Sequence, residues 1–109
     1  MSDIIVQKFG GTSVGSVDRI DAVANIIKNA SKDQKIIVVV SAMSGETNKL
    51  INLANHFGKN PDKREFDALV STGETISSAL LAMALHSKGV SAKSYSASQI
   101  SMKTTDSFS

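Results

Sequence analysis

One segment of this sequence combines the residue types that bind phosphate: KFGGTS at positions 8–13. Glycines let backbone N–H groups approach an anion, a following helix N-terminus adds positive potential, and Lys8 carries a cation that reaches charged oxygens. The lysine precedes the glycines, so the segment matches neither G-x-x-x-x-G-K-[ST] nor G-x-G-x-x-G. Spacing alone therefore leaves two interpretations open, an anion site or a glycine turn with a solvated lysine.

A second segment, VSAMSGET at positions 40–47, repeats this theme with hydroxyls and a glycine between a strand and a helix. It is either a second loop facing the same cleft or an ordinary helix cap. In the capping interpretation, which spacing alone favours, Ser44 satisfies helix N–H groups and Thr47 merely lies in the first turn.

The third segment, STGE at positions 71–74, interrupts an apolar stretch of helical period. Glycine inside a helix costs about 1 kcal/mol relative to alanine, so Gly73 marks a helix break, a close packing contact or the approach of a ligand. Glu74 is then either a first-turn acid after a break or a carboxylate aimed at a cationic group of a ligand.

Composition excludes several other chemistries. The 109 residues include no Cys and two His, so disulfides, thiolate zinc sites and Cys nucleophiles are excluded and we expect no metal site. His56 and His86 lie near predicted helix ends, where an imidazole commonly meets terminal carbonyls. Twelve basic against ten acidic residues form no basic block, so nucleic-acid binding gains no support. No unbroken apolar run approaches the roughly 20 residues of a membrane span, and the start lacks the features of a signal peptide, so we expect a soluble, cytoplasmic protein.

Apolar periodicity gives the order of elements that position these segments. It predicts alternating strands and helices: a strand over 4–9, a helix over 17–30 capped by Ser16, a strand over 35–41, and a helix from Ser44 or Gly45 to Gly58. A third helix is predicted to be capped by Asn60, with Pro61 in its first turn and Asp62 as an early acid, and to run toward Gly89. Residues 90–97 give a weaker strand prediction. Alternation of this kind predicts an α/β sandwich around a largely parallel sheet, with ligands at the carboxyl ends of the strands.

The helices are expected to bury apolar stripes, and the second strand is expected to be covered on both faces. Its unbroken Ile and Val run, 36–40, is typical of central strands of parallel sheets. The predicted stripes comprise Val17, Ile20, Val23, Ala24 and Ile27 in the first helix, Leu50, Leu53, Ala54 and Phe57 in the second, and Phe66, Leu69, Val70, Ile76, Leu80, Leu81 and Met83 in the third.

Taken together in order and separation, the three segments resemble the amino-terminal part of the aspartate kinases, over residues 4 to about 105. The resemblance implies the three-layer α/β/α sandwich of the amino-acid kinases. It also implies transfer of the γ-phosphoryl of ATP, with Mg²⁺, to the side-chain carboxylate of L-aspartate, giving 4-phospho-L-aspartate for lysine, threonine and methionine synthesis. No general base is needed, because that carboxylate is already ionised at neutral pH.

Site roles follow from the resemblance, position by position. It implies an ATP phosphate loop in which Lys8 is the catalytic residue and stabilises the transferring phosphoryl; the loop comprises Lys8, Phe9, Gly10, Gly11 and Ser13. Ser41 would lie close to both phosphate and substrate. Thr47 and Glu74 would hold aspartate, with Glu74 facing its α-ammonium. Mg²⁺ would be held mainly by ATP and by parts of the site outside this chain.

The resemblance further implies that residues 1–109 are the N-terminal part of a catalytic domain, without its second half and without regulatory ACT domains. We therefore expect the chain alone to be inactive, its apolar surface to cause association or poor solubility, and the full-length protein to be a homo-oligomer. The alternatives are a non-enzymatic α/β interaction module and another amino-acid kinase of the same fold.

Overall fold

The two strands lie side by side and parallel. A computed structural model describes residues 4–96, in which β1 is Ile4–Phe9 and β2 is Lys35–Val40. Their register runs from Ile4 opposite Lys35 to Phe9 opposite Val40, so both strands end at the same edge. The parallel sheet predicted from the alternation of elements is confirmed.

Helix α1, Val17–Ala30, connects the strands and begins where the sequence predicts. The Ser16 hydroxyl accepts a hydrogen bond of 3.2 Å from the Arg19 N–H, which satisfies one of the unpaired donors at the helix start. Four residues at helical spacing are buried on its inner face: Ile20, Val23, Ala24 and Ile27. They form the core together with Val14, Val40, Leu81 and Leu85.

Helices α2, Glu46–Asn55, and α3, Lys63–Ser87, follow β2 in succession. Asp62, not Asn60, caps α3, through a 3.1 Å hydrogen bond from the Glu65 N–H to its carboxylate. α3 packs against α1, α2 and β2. A 2.9 Å ion pair between Lys88 and Asp21 joins the end of α3 to α1.

The prediction that β2 is covered on both faces was wrong for the described residues. Phe9, Ile36 and Val38 point toward α1 and α3 and pack on the core. The opposite face is exposed and carries Ile4, Val6, Ile37 and Val39. Residues 4–96 therefore contribute a sheet and helices on one of its faces, which are two layers of the predicted sandwich.

Parts of the predicted helix stripes are also exposed. Phe57 is 92% exposed, and Val17, Leu53, Ile76 and Met83 are each about half exposed or more. These side chains have the helical spacing of a core face, but no element within residues 4–96 covers them. Periodicity identifies an apolar face and does not say what packs on it.

The strand predicted over residues 90–97 was wrong for residues 90–96, and Ala97 lies outside the described residues. His86 Nε2 lies 2.7 Å from the Ala92 carbonyl oxygen, and the Val90 N–H donates to the Leu85 carbonyl. The segment faces β2 across a cavity of about 600 Å³. It is therefore held to the end of α3, and residues 90–96 form no strand in the described part of the chain.

One helix of the described residues, α3, is long and apolar enough to cross a membrane by length and composition. Its inner face packs in the core through Leu81, Ala82 and Leu85, with Gly73 and Ser77 also buried. Core helices of soluble proteins share these properties, so this finding is weak evidence for a membrane span.

Two neighbouring isoleucines of α1 provide a test of this core. Ile27 is 3% exposed and Ile26 is 52% exposed. We expect Ile27→Ala to lower the free energy of unfolding by about 2–5 kcal/mol, because it leaves a cavity in the core. Ile26→Ala is the matched control and is expected to cost less than about 1 kcal/mol. Urea unfolding of the two variants measures the difference, and equal losses would contradict the packing of α1.

Self-association of the chain stays a prediction, and the uncovered sheet face indicates how to test it. We expect light scattering to detect oligomers, and the double substitution Ile37→Thr and Val39→Thr to reduce them, because it replaces exposed methyl groups with hydroxyls on that face. A stable monomer with a sharp melting transition before substitution would contradict this expectation.

Candidate functional site

The segments that follow the two strands lie next to each other. Phe9 and Val40 are partners at the end of the sheet, and the Ser41 N–H donates a 3.1 Å hydrogen bond to the Phe9 carbonyl. The glycine loop, defined as residues 10–15, and the second loop, residues 41–45, therefore start from one hydrogen-bonded edge. Carboxyl ends of parallel strands are where α/β proteins bind ligands.

Strand alternation sends Lys8 and Phe9 to opposite faces of the sheet. Phe9 packs on the core and anchors the start of the glycine loop, whereas Lys8 is exposed on the uncovered face beside Val39. The cation is thus free to reach a ligand at the strand end, while its neighbour fixes the backbone.

The glycine loop leaves part of its backbone available for an anion. The Gly10 carbonyl accepts hydrogen bonds from the Ser13 and Val14 N–H groups, which closes the loop into a tight turn. The N–H groups of Gly10, Gly11 and Thr12 donate no hydrogen bond within residues 4–96. Consecutive free N–H groups in a turn are the donors that phosphate-binding loops use.

Helix α2 begins without a side-chain cap. Its N-cap residue is Gly45, whose φ of +86° is left-handed and strained for residues with a side chain, and no side chain accepts a hydrogen bond there. The capping interpretation of Ser44 was therefore wrong. In the part of the chain that the structure describes, the Thr47 and Asn48 N–H groups at this helix start donate no hydrogen bond.

Helix α3 passes through the third segment without a break. Glu74 is exposed in the middle of the helix, so it is not a first-turn acid. The neighbouring hydroxyls are satisfied by the helix itself: Ser71, Thr72, Thr75 and Ser77 each donate to a backbone carbonyl three or four residues earlier. The polar residues therefore interrupt the apolar pattern and leave the helix intact.

Gly73 marks a close packing contact, one of the three interpretations left open by the sequence. A methyl group at this position would lie 2.9 Å from the Cβ atom of Ala42, closer than two such atoms approach. The same group would lie 3.6 Å from Leu50 and 3.9 Å from Glu46, both on α2. Gly73 is thus the point where α3 meets the second loop and α2.

Ala42 joins all three segments. It is 7% exposed, and its carbonyl oxygen would lie 3.2 Å from a methyl group at Gly11. Its Cβ faces Gly73. The glycine loop and α3 thus contact Ala42 through a glycine each. The structure brings together the backbone segments that carry the predicted site residues, which are Lys8, Phe9, Gly10, Gly11, Ser13, Ser41, Thr47 and Glu74.

Sequence reasoning missed Ala42. Its only signal is a small residue between a strand end and a helix start, and small residues are common in turns. Its importance depends on the approach of α3, a helix more than 20 residues further along the chain, which no local pattern reports.

A cavity of about 600 Å³ lies elsewhere. It lies beside β2 and is lined by apolar and polar residues of α1, β2 and α3, by Ser31 and Gln34, and by residues 90–95; none of the predicted site residues lines it. It is a gap in packing along the edge of β2. We place the candidate site at the three segments, because free backbone donors and the predicted site residues converge there. Of the two histidines, His86 meets the carbonyl of Ala92, which lies beyond the end of α3 and is not a helix-terminal carbonyl.

Comparisons with known proteins agree on one family. The model of the amino acid kinase family matches residues 3–107. An aspartokinase of Geobacillus stearothermophilus is 53% identical over 104 residues, 94% of this chain and 26% of the relative. An aspartokinase of Helicobacter pylori is 46% identical over 106 residues, again 26% of its length. The chain thus spans about a quarter of the length of the curated relatives it matches.

Solved structures give the same result. The aspartate kinase of Synechocystis superposes with a TM-score of 0.75 at 53% identity, covering 77% of this chain and 14% of that one. Aspartokinase III of E. coli, solved in complex with aspartate and ADP, superposes with a TM-score of 0.67 at 26% identity. The match covers 83% of this chain and 30% of that one.

The uncapped start of α2 makes a prediction about stability. Ser44→Ala is expected to change the free energy of unfolding by less than about 0.5 kcal/mol, because the Ser44 hydroxyl caps nothing. Ser16→Ala is the matched comparison and is expected to cost about 1 kcal/mol, because it removes the cap of α1. Chemical denaturation compares them, and a loss at Ser44 as large as at Ser16 would restore the capping interpretation.

Proposed function

This chain belongs to the amino acid kinase family, and we propose that it forms the N-terminal part of the catalytic domain of an aspartate kinase. Curated relatives about 50% identical to it are aspartokinases. In this proposal the remaining three quarters of such a protein supply the second half of the catalytic domain, with the nucleotide-base pocket, and the regulatory ACT domains. Residues 1–109 then carry half of an active site.

The proposed reaction moves the γ-phosphoryl group of ATP to aspartate. A side-chain carboxylate oxygen of L-aspartate attacks the γ-phosphorus, the bond from that phosphorus to the β,γ-bridging oxygen breaks, and ADP leaves with the electron pair. The products are ADP and 4-phospho-L-aspartate. The attacking carboxylate is ionised at neutral pH, so no residue has to remove a proton. Catalysis then consists of positioning and charge neutralisation.

Lys8 and the glycine loop are the proposed phosphate-binding elements. The free N–H groups of Gly10, Gly11 and Thr12 support this role, because they offer donors to phosphate oxygens. Lys8 stabilises the charge that develops on the transferring phosphoryl group, Phe9 holds the start of the loop in the core, and Ser13 assists in the loop.

Ser41, Thr47 and Glu74 are the proposed aspartate-binding residues. Ser41 follows β2 directly and lies beside the phosphate loop, which suits a residue close to both substrates. Thr47 lies at the uncapped start of α2, whose positive potential favours a carboxylate. Glu74 supplies the negative charge that pairs with the α-ammonium group. The single observation that carries this proposal is the convergence of the three segments on Ala42.

Magnesium enters this reaction as part of the substrate MgATP. No group of three or more His, Cys, Asp or Glu side chains able to hold a metal ion occurs within residues 4–96. In the proposal Mg²⁺ is held mainly by the ATP phosphates and by parts of the site outside this chain. We further propose a cytoplasmic location, where aspartate and ATP are available, and a homo-oligomeric full-length protein.

The proposal is tested in a chimera in which this chain replaces the matching quarter of the Geobacillus stearothermophilus aspartokinase. We expect aspartate-dependent ADP production from the chimera. Lys8→Ala is expected to lower kcat by about 10²–10³-fold, because it removes the cation at the transferring group. Glu74→Gln is expected to raise the KM for aspartate, because it removes the partner of the α-ammonium group. Both variants should unfold within about 0.5 kcal/mol of the parent chimera, since both side chains are exposed.

Lys32→Ala and Glu65→Gln are the matched controls, because they remove exposed charges that lie outside the three segments. We expect both to keep the kinetics of the parent chimera. If the segments are only packing turns of an interaction module, Lys8→Ala and Glu74→Gln will lower stability and leave turnover unchanged. A chimera that phosphorylates glutamate or N-acetylglutamate in preference to aspartate would instead indicate another amino-acid kinase.

The isolated chain is expected to be inactive, because it carries half of the proposed site. A coupled assay of the purified 109-residue chain checks this expectation. Aspartate-dependent ADP production by the isolated chain would contradict it.

A further inference from the structure

We propose that the contact between Gly73 and Ala42 sets the spacing of the aspartate-binding residues, which makes Gly73 and Ala42 positioning residues for the substrate. The inference rests on the proposed function, because it concerns the aspartate site of that reaction. It adds Gly73 and Ala42, which have no functional side-chain group, to the residues on which aspartate binding depends.

The contact joins the three elements that carry the proposed ligands. Ala42 follows Ser41 directly in the chain, and Gly73 precedes Glu74 directly. The third element is α2, where Glu46 lies next to Thr47 and faces Gly73, so that a methyl group at Gly73 would lie 3.9 Å from the Glu46 Cβ atom. Any change in the distance between α3 and its neighbours, the second loop and α2, therefore moves Glu74 relative to Ser41 and Thr47.

The elements on both sides of the contact are firmly held. Ala42 is backed by the glycine loop, with its carbonyl oxygen 3.2 Å from the position of a methyl group at Gly11. On the other side, the buried Ser77 hydroxyl donates to the Gly73 carbonyl, and Leu81 and Leu85 fix α3 in the core. An added methyl group has no flexible side chain to displace, because its neighbour is a Cβ atom. Either α3 or the second loop therefore has to shift to make room for it.

Such a movement affects binding of aspartate more than binding of ATP. The glycine loop contacts the other side of Ala42, through Gly11, and is closed by its own hydrogen bonds to the Gly10 carbonyl, so a shift of α3 at Gly73 reaches it only indirectly. The ion pair to the α-ammonium group depends on α3 alone, since Glu74 is its only proposed partner in this chain. A selective rise of the KM for aspartate is therefore the signature of a positioning role.

The test uses the chimera described above and a rescue by the opposite substitution. We expect Gly73→Ala to raise the KM for aspartate about 10-fold, while the KM for ATP stays within about 2-fold, because only the aspartate ligands shift. Ala42→Gly removes the methyl group that Gly73→Ala clashes with. The double variant is expected to return the KM for aspartate to within about 2-fold of the parent chimera.

Two further variants separate positioning from effects on folding. Ser78→Ala is the matched control, because it also improves helix propensity inside α3 but lies at the cavity beside β2, away from Ala42. We expect it to leave both KM values unchanged. Ala42→Ser adds a single oxygen on the other side of the contact and is expected to raise the KM for aspartate about 3-fold, so the inference remains testable if Gly73→Ala does not fold.

The outcomes separate this inference from the proposed function. An unsubstituted chimera without aspartate-dependent activity would overturn the proposed function itself. The positioning role alone would be overturned if the chimera is active and Gly73→Ala lowers its melting temperature but leaves the KM for aspartate unchanged. If Gly73→Ala does not fold, the same result with Ala42→Ser would overturn it. A rise in the KM for aspartate in Gly73→Ala that the added substitution Ala42→Gly does not reverse would also overturn the positioning role.

Discussion

The arrangement of this fold depends on how closely three backbone segments approach each other at Ala42. The loop after β2 lies between the glycine loop and α3, and each of them presents a glycine to it. Because protein interiors are close-packed, a single methyl group on either side separates the segments. The hydrogen bond from the Ser41 N–H to the Phe9 carbonyl holds the same loop to the strand ends. This one point of contact sets the distance between the segments that carry the candidate site residues.

The two faces of the sheet differ in what they contact. Phe9, Ile36 and Val38 join the sheet to α1 and α3, while Lys8 lies with exposed apolar residues on the other face. Because side chains alternate along β1, Phe9, which anchors the glycine loop, and Lys8, which supplies the cation, lie on opposite faces of the sheet. The chain spans about a quarter of the length of its curated relatives, and the uncovered face indicates that its packing is incomplete within residues 4–96.

The proposed chemistry suits a site with no histidine or cysteine. A carboxylate nucleophile needs no base, and the developing charge on a phosphoryl group is stabilised by donors already in place. Free N–H groups in the glycine loop, an uncapped helix start and one lysine supply such donors. These groups are effective only if the segments keep their spacing. The packing contact between Gly73 and Ala42, whose side chains carry no functional group, is therefore part of the proposed mechanism.

The sequence by itself determined the local structure and the family. Strand β1, helix α1 and its Ser16 cap follow from β-branched runs, helical periodicity and capping chemistry, which are properties of neighbouring residues. The tertiary structure decided what depends on distant contacts. It kept α3 continuous at Gly73, left Phe57 and one face of β2 exposed, gave residues 90–96 no strand structure, and placed Ala42 between two glycines. Periodicity reports which face is apolar, but whether another element reaches that face is decided by packing across the whole chain.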